Sequence, residues 1–235
     1  MDYGIQLYSV RDLASHDLEA ALKAVAEIGY KYVEFAGFFG HDAKTVKGWL
    51  DQYGLICSST HSSWQELRDD FDAVVAYHKT IGNRNFVTMA SPDELWDFVD
   101  FCRKFQPKLA AEGISLHYHN HAFEFELQED GLMLYPVIEC CTDIALETDT
   151  YWLYVGKTNP IAVMDRLHER IQMIHIKDGD ILGHGKPLGM GTAPVAEVYA
   201  KAKEYDMLII VESETCNPSG IEEAKICFDY LKSLE

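Results

Sequence analysis

Three histidines alternate along the segment ISLHYHNHAFEF: His117, His119 and His121. In a β-strand every second side chain points to the same face, so we expect the three imidazoles on one face. Imidazole is both a common metal ligand and a proton-transfer group near neutral pH. A solvated strand face is the plainer interpretation, and this segment alone does not decide between the two.

Other polar residues capable of chemistry follow apolar runs along the chain. They are Glu34, His61, Glu147, Asp149, His175, Lys177, Asp178, Glu212 and Glu214. Burying such groups costs free energy unless they are paired or bind an ion. The set His119, Asp149, His175 and Glu212, one from each of four consecutive runs, suits a divalent metal with nitrogen and oxygen ligands. Taken singly, His175 has the alternative of a hydrogen-bonded core histidine, and Asp149 that of a cap on the following turn.

Eight short apolar, β-branched runs must position these residues, and each is followed by an amphipathic stretch. The runs are residues 5–10, 32–37, 56–62, 85–90, 114–120, 144–149, 171–178 and 208–214. This near-regular alternation predicts repeated βα units and a parallel sheet. Between a doubly wound sheet and a closed (β/α)8 TIM barrel we favour the barrel. The count is eight, and no glycine-rich dinucleotide turn follows the first run.

The barrel prediction explains why the polar residues collect where they do. In (β/α)8 barrels the active site lies at the carboxyl ends of the strands. No linker or low-complexity tract interrupts the pattern, so residues 1–235 are predicted to form one α/β domain. His119, Asp149, His175 and Glu212 would then converge at one end of it.

Composition excludes several classes of protein. The chain carries a net charge of −18 and no cluster of Lys and Arg, which disfavours nucleic acid and anionic membranes as partners. No secretory signal or long apolar span is visible. The six cysteines show no CxxC spacing, which favours free thiols in a reducing compartment. We therefore expect a cytoplasmic protein.

The chain resembles the xylose isomerase-like superfamily of TIM barrels, often labelled sugar phosphate isomerase/epimerase, over nearly its whole length. The segments that carry the resemblance are GIQLYSVRD, YHNHAFEF, DTYWLYVG, IHIKDGD and IIVESE. Members typically hold a divalent metal with Glu, Asp, His and Glu from strands five to eight. The resemblance assigns the last three ligands to Asp149, His175 and Glu212.

The first ligand position departs from the family pattern. Many relatives read ENH where this chain reads HNH, so His119 replaces the usual glutamate. The ligand set then carries two negative charges rather than three, which should favour Mn²⁺, Zn²⁺, Co²⁺ or Fe²⁺ over Mg²⁺. The replacement also removes one of the two carboxylates that flank the substrate in many sugar epimerases.

The resemblance implies a metal-dependent sugar isomerase or epimerase. A metal that chelates a sugar carbonyl acidifies the adjacent C–H bond, and a base can then form an enediolate. We assign Glu212 as ligand and base, with Lys177 or His61 as proton partner. The expected substrate-binding residues are Gln6, Glu34, His121, Trp152 and, in the glycine-rich loop 179–192, His184. That loop has two interpretations, a phosphate site and a flexible substrate lid, and the lid is favoured.

Three other functions remain open at this stage. The nearest is a metal-dependent lyase or dehydratase acting on a keto-sugar, an inositol derivative or an oxidised glycoside. The second is a DNA-repair endonuclease on the same fold, which the net charge disfavours. The third is a non-catalytic sugar-binding barrel. The expected partner is therefore a small sugar or sugar derivative. Dimers or tetramers are common among similar proteins, so a homo-oligomer is compatible with the resemblance.

Overall fold

Eight parallel strands close into a barrel in the computed structural model, which describes residues 1–235. They are β1 (Gly4–Gln6), β2 (Tyr32–Phe35), β3 (Ile56–His61), β4 (Asn85–Thr88), β5 (Ser115–His119), β6 (Ala145–Asp149), β7 (Ile171–Ile176) and β8 (Leu208–Val211). Each strand pairs with the next along the chain, and β1 pairs with β8 to close the ring. The predicted TIM barrel is confirmed.

Helices surround the barrel and connect its strands. They are α1 (Arg11–Ala14), α2 (Leu18–Ile28), α3 (Ala43–Tyr53), α4 (Trp64–Asp69), α5 (Phe71–Ile81), α6 (Leu95–Ala111), α7 (Leu134–Cys141), α8 (Thr150–Val155), α9 (Pro160–Leu167), α10 (Val195–Glu204) and α11 (Gly220–Ser233). In α2 the Asp17 carboxylate accepts the backbone N–H of Ala20 at the start, and Gly29 ends the helix with a φ of 120°. None of the helices has the length and apolar character needed to span a membrane.

Side chains along β5 point alternately outward, to the core between the barrel and the helices, and inward, to the barrel interior. The Tyr118 ring points outward and lies 5.5 Å from the Phe98 ring of α6. His117 and His119 point inward: His117 Nε2 lies 3.1 Å from Asn85 Oδ1, and the His119 ring lies 4.7 Å from the His175 ring. The period of two therefore places the histidine face towards the barrel axis, as the sequence predicts.

All eight strands are shorter than the apolar runs that predict them, as three cases illustrate. The run 5–10 is a strand only to Gln6, because the Gln6 side chain accepts the backbone N–H of Tyr8 and starts a 3-10 helix over Leu7–Val10. The run 171–178 leaves the barrel after Ile176, and Asp178–Gly179 pairs antiparallel with Gly185–Lys186. The run 208–214 ends as a strand at Val211.

Asp178 holds the glycine-rich loop that follows β7. Its carboxylate accepts backbone N–H groups from four residues of the loop: Gly179, Gly189, Gly191 and Ala193. A Cβ atom on Gly191 would lie only 2.1 Å from Asp178 Oδ1, so this close approach requires glycine. The loop is therefore fixed at its base by one buried side chain.

Candidate metal centre and substrate pocket

The barrel brings together the four side chains that the sequence assigns as metal ligands. His119, Asp149 and His175 come from β5, β6 and β7, and Glu212 directly follows β8. Their ligand atoms all lie within 4.8 Å of one another, and all four residues are buried. Carboxyl ends of adjacent parallel strands meet at one end of the barrel, which is why residues far apart in sequence converge here.

The chemistry of this donor set fits a divalent cation. His119 Nδ1 is buried and makes no hydrogen bond, which is costly unless a ligand binds there. Asp149 Oδ2 also makes no hydrogen bond, but it lies 3.1 Å from the ammonium group of Lys177. Burial and the charges of His175 and His61 hold the pKa of His119 well below its usual value. His119 is therefore neutral, the form in which an imidazole coordinates a metal.

Glu34 lies behind His175 rather than in the pocket. Glu34 Oε1 is 2.6 Å from His175 Nε2, and His175 Nδ1 is 2.9 Å from Glu212 Oε2. Glu34 also accepts hydrogen bonds from Gln6 Nε2 at 2.7 Å and from the Ser59 hydroxyl. Its side chain has no exposed surface, so the structure does not bring this predicted substrate-binding residue to the pocket wall.

Lys177 is surrounded by three carboxylates. Its Nζ lies 3.1 Å from Asp149 Oδ2, 2.6 Å from Glu212 Oε2 and 2.6 Å from Glu214 Oε1. Burial disfavours its charge, but Asp149 and Glu212 outweigh that effect and hold the pKa of Lys177 above its usual value. For Glu212 burial likewise opposes ionisation, yet Lys177 and His175 hold its pKa well below the usual range. Glu212 is therefore a carboxylate.

A cavity of about 250 Å³ opens directly over the cluster. Its walls include the predicted residues Gln6, His61, His119, His121, Trp152 and Glu212. The His121 ring lies 5.9 Å from the Trp152 ring, which forms an aromatic side to the cavity. A second groove of about 470 Å³ shares His61 and Met89 with the first and continues towards Phe123 and Glu94.

The predicted substrate-binding residue His184 lies outside this arrangement. Its side chain is 71% exposed, and its Nδ1 lies 2.9 Å from Asp180 Oδ2 within the same loop. It lines neither the cavity over the cluster nor the adjoining groove. Asp178 binds the backbone N–H groups of the loop. The loop is therefore held in place and does not bring His184 over the cluster, although it is long.

Comparison with known proteins agrees with this geometry. The family model described as the xylose isomerase-like TIM barrel matches residues 22–234. The chain belongs to this family. No curated protein is a significant sequence match.

Solved structures share the fold at low sequence identity. A sugar phosphate isomerase/epimerase from Parabacteroides distasonis has a TM-score of 0.83 and 23% identity, with 97% of this chain and 96% of that chain covered. The probable 3-DHS dehydratase of Bacillus anthracis has a TM-score of 0.78 and 14% identity, with 99% of each chain covered. A D-allulose 3-epimerase from Methylomonas sp. has a TM-score of 0.74 and 15% identity, with 100% of this chain and 98% of that chain covered.

Glu147 belongs to the site of this xylose isomerase-like chain, although sequence reasoning left it without a role. It precedes Asp149 by two positions on β6, so the same alternation directs it inward. Glu147 Oε2 lies 2.6 Å from His61 Nε2. Burial and the neighbouring Glu34 raise the pKa of Glu147 to about 8. Burial alone would lower the pKa of His61, but Glu34 and Glu147 raise it to about 10.

Proposed function

We propose that the protein is a divalent-metal-dependent sugar isomerase or epimerase that works by proton abstraction next to a carbonyl. The observation that carries this proposal is the buried convergence of His119, Asp149, His175 and Glu212 beside a cavity that His119 and Glu212 line. These residues would hold the metal. Structural neighbours of the same fold include proteins named sugar phosphate isomerase/epimerase and D-allulose 3-epimerase, which supports a sugar substrate.

The ionised Glu212 is the proposed base. A bound divalent cation supplies a Lewis acid that polarises the substrate carbonyl and lowers the pKa of the neighbouring C–H bond. Glu212 lines the cavity and removes that proton, which leaves an enediolate. Return of the proton to the adjacent carbon gives the isomer, and return to the opposite face gives the epimer.

The geometry favours His61 over Lys177 as the proton partner. His61 lines both the cavity and the groove, and with its raised pKa it carries a proton to donate. Lys177 is held by three carboxylates and does not line the cavity over the cluster. We assign Lys177 the task of keeping Glu212 ionised and in place.

The remaining cavity residues suit a sugar ring. His121 and Trp152 present aromatic surface to one side of the cavity. Gln6 lines the cavity, but its side-chain N–H donates a hydrogen bond to Glu34. It therefore holds Glu34 in place and has fewer hydrogen-bonding groups left for the substrate than the sequence suggests. Two imidazoles among four ligands favour Mn²⁺, Zn²⁺, Co²⁺ or Fe²⁺ over Mg²⁺.

The test is exchange of substrate hydrogen with solvent. Metal-loaded protein is incubated with aldoses and ketoses in deuterated water, and deuterium at the carbon next to the carbonyl is measured by NMR. We expect incorporation together with product, and a loss of at least about 100-fold in Glu212→Gln. Glu222→Gln, at an exposed glutamate of α11, is the matched control and should retain full rate. Stoichiometric metal without any exchange would instead indicate a non-catalytic sugar-binding barrel.

A metal-dependent lyase is the second candidate, and the adjoining groove of about 470 Å³ favours it. The cavity over the cluster is smaller than the roughly 300–1,000 Å³ of typical small-molecule sites, whereas cavity and groove together fall within that range. A substrate that extends past His61 would carry a substituent on its reacting ring. A structural neighbour named as a probable dehydratase is in keeping with such an elimination.

In the lyase reaction Glu212 removes the same proton. The C–O bond to the substituent on the neighbouring carbon then breaks, and the leaving oxygen takes a proton from His61. The products are an unsaturated keto-sugar and water or a free alcohol. Mass spectrometry of incubations with keto-sugars and oxidised glycosides separates the two functions, because isomerisation leaves the mass unchanged and elimination does not.

A further inference from the structure

No lysine or arginine lines the cavity over the ligand cluster or the groove of about 470 Å³ that adjoins it. The carboxylates that line them are Glu212 and Glu214 in the cavity and Glu94 in the groove. The protonated imidazole of His61 is already paired with Glu147 at 2.6 Å. The surfaces that would contact a substrate away from the metal position are therefore acidic.

The cationic side chains around these spaces are bound elsewhere or point away. Lys177 is held by three carboxylates and lies outside the walls of the cavity over the cluster. Arg11 donates hydrogen bonds to the backbone carbonyls of Tyr8 at 2.9 Å and Glu214 at 2.6 Å. Lys186 of the glycine-rich loop is exposed and lines neither space. A phosphate group in the cavity or the groove would therefore meet no basic side chain.

The backbone N–H groups that a phosphate could use are taken by Asp178. Barrels often bind phosphate with the loops after strands seven and eight. Here the Asp178 carboxylate accepts the N–H groups of Gly179, Gly189, Gly191 and Ala193 in the loop after β7. A carboxylate of the protein thus occupies this cradle, and a phosphate there would be repelled by like charge.

Glu94 has the same effect in the groove. Its carboxylate accepts hydrogen bonds from Gln65 Nε2 at 2.7 Å, from the Ser91 hydroxyl at 2.6 Å and from the Ser91 backbone N–H at 3.4 Å. These donors would otherwise be available to an anionic substituent of the substrate. Like charges brought together in a binding site are strongly disfavoured, so Glu94 selects against such a substituent.

The remaining walls of the groove suit a second sugar ring. Half-buried Ser62, Ser63 and Gln65 offer hydroxyl and amide groups for hydrogen bonds to sugar hydroxyls. The Phe123 ring lies 5.9 Å from the His121 ring at an angle of 16°, so it continues the aromatic side of the cavity into the groove. Aromatic surface with a few placed polar groups is typical of small-molecule sites.

We propose that the groove is a subsite for an uncharged second sugar ring joined to the reacting ring, and that the site discriminates against phosphorylated sugars. This inference rests on the proposed function, because it takes the reacting ring to lie in the cavity. It names uncharged glycosides as the substrate class, although one structural neighbour is named sugar phosphate isomerase/epimerase. His61 and Met89 line both spaces, so a substituent on the reacting ring passes directly into the groove.

Matched ligands test the subsite by isothermal titration calorimetry of the Mn²⁺-loaded protein. Isomaltulose and D-fructose 6-phosphate carry a glucosyl and a phosphoryl group on the same oxygen of fructose, and maltulose and turanose carry the glucosyl group on other oxygens. We expect at least one disaccharide to bind about 10-fold or more tightly than D-fructose. D-fructose 6-phosphate should bind no more tightly than D-fructose.

Variants of the groove should change these ratios in opposite senses. Phe123→Leu should reduce the advantage of the disaccharide over D-fructose. Glu94→Gln should strengthen binding of D-fructose 6-phosphate relative to D-fructose by about 10-fold. Asp93→Asn, which removes the same charge from an exposed neighbour outside the groove, should leave that ratio unchanged. Ser62→Lys, which adds positive charge to the groove wall, repeats the test should Glu94→Gln fail to fold.

Deuterium exchange with the same sugars separates this inference from the proposed function. Preferred binding of, and exchange into, D-fructose 6-phosphate overturns the subsite and leaves the proposed function intact. Preferred binding of a disaccharide that changes in Phe123→Leu, without exchange, supports the subsite and contradicts the proposed function. Equal binding of all the sugars, with ratios that Glu94→Gln and Ser62→Lys leave unchanged, overturns the subsite. No binding of any sugar overturns both.

Discussion

Glu34 Oε1 lies 2.6 Å from His175 Nε2, on the side of the imidazole opposite Glu212. A carboxylate that accepts the N–H of a ligand histidine fixes both the tautomer and the ring orientation. Nδ1 of His175 is therefore left facing Asp149 and Glu212, where a lone pair is needed for coordination. Glu34 acts on the metal position through His175 without lining the cavity.

Glu34→Gln should weaken metal binding by about 10- to 100-fold, the usual effect of removing such a carboxylate. Competition against a fluorescent chelator measures the affinity. Ser58→Ala is the matched control, because the Ser58 hydroxyl bonds to Val33 and Ser59 and not to Glu34. Equal affinities for Glu34→Gln and the control would show that Glu34 does not orient His175.

His119→Glu should move the metal preference towards Mg²⁺. The substitution adds one negative charge and one hard oxygen donor to the cluster. Parallel titrations with Mg²⁺ and Mn²⁺ measure the ratio of the two dissociation constants. An unchanged ratio would mean that His119 does not contact the cation.

Lys177→Met should destabilise the metal-free protein by about 3–5 kcal/mol, because Asp149 and Glu212 lose the buried cation between them. Saturating Mn²⁺ should recover most of this loss, since the metal supplies the missing positive charge. Urea unfolding with and without Mn²⁺ measures both effects. Lys201→Met, which removes a surface ion pair with Asp165 and Glu204, should change stability by less than about 1 kcal/mol.

His78 should make stability depend on pH in the acid range. Burial lowers the pKa of His78 to about 4, and its Nδ1 accepts a hydrogen bond from Asn83 Nδ2 at 2.8 Å. The unfolded chain, with a histidine pKa near 6.5, then binds one more proton than the folded chain between pH 6.5 and 4. The contribution of neutral His78 to the free energy of unfolding is therefore complete above pH 6.5. It is lost as the pH falls to about 4, and the total loss is roughly 3 kcal/mol at most.

Urea unfolding at pH 7 and pH 5 checks this expectation for His78. In His78→Gln the drop in stability between the two pH values should be smaller than in the wild type. His168→Gln, at an exposed histidine after α9, should show the wild-type drop. The same drop in all three proteins would show that His78 is not the titrating group.

Gly191→Ala should loosen the loop after β7. The added methyl group would meet the Asp178 carboxylate, and the hydrogen bonds from Gly189, Gly191 and Ala193 cannot all persist. Faster hydrogen exchange across residues 180–193 is the expected result. Gly185→Ala is the control, because Gly185 lies in the same loop, also has no positive φ, and a Cβ atom there would meet its nearest neighbour, Thr215 Cγ2, only at 3.5 Å. Unaltered exchange in Gly191→Ala would mean that Asp178 does not hold the loop.

The strands and their order could be read from the sequence because local patterns determine them. Each apolar run overlaps a barrel strand, and the carboxyl-end rule for barrels brings Asp149, His175 and Glu212 to one place. Alternation on β5 correctly directs His119 inward. These features depend only on spacing and on the parallel arrangement of neighbouring strands.

The depth of a side chain within the barrel could not be read in the same way. Glu34 and Glu212 both belong to strand ends, yet the tilt and stagger of the strands place Glu34 below His175 and Glu212 in the cavity wall. The contacts of Glu147 were equally hard to predict. Alternation directs its side chain inward but does not indicate which charged groups it contacts. His184 lies in a loop with no periodic pattern, and its position depends on the bonds to Asp178 and Asp180.

Asp178 lies only three positions after His175. It holds the glycine-rich loop, which forms one rim of the barrel opening, to the end of β7, the strand that carries this predicted metal ligand. That rim is therefore fixed, and the groove between Ser62 and Glu94 opens on the opposite rim, where we expect the substrate of the proposed reaction to enter. Under the proposed function, differences in substrate preference should accordingly arise from changes in the turns after β3 and β4. We expect the glycine-rich loop to stay the same across such variants, because a change there would also disturb His175 and the proposed metal position.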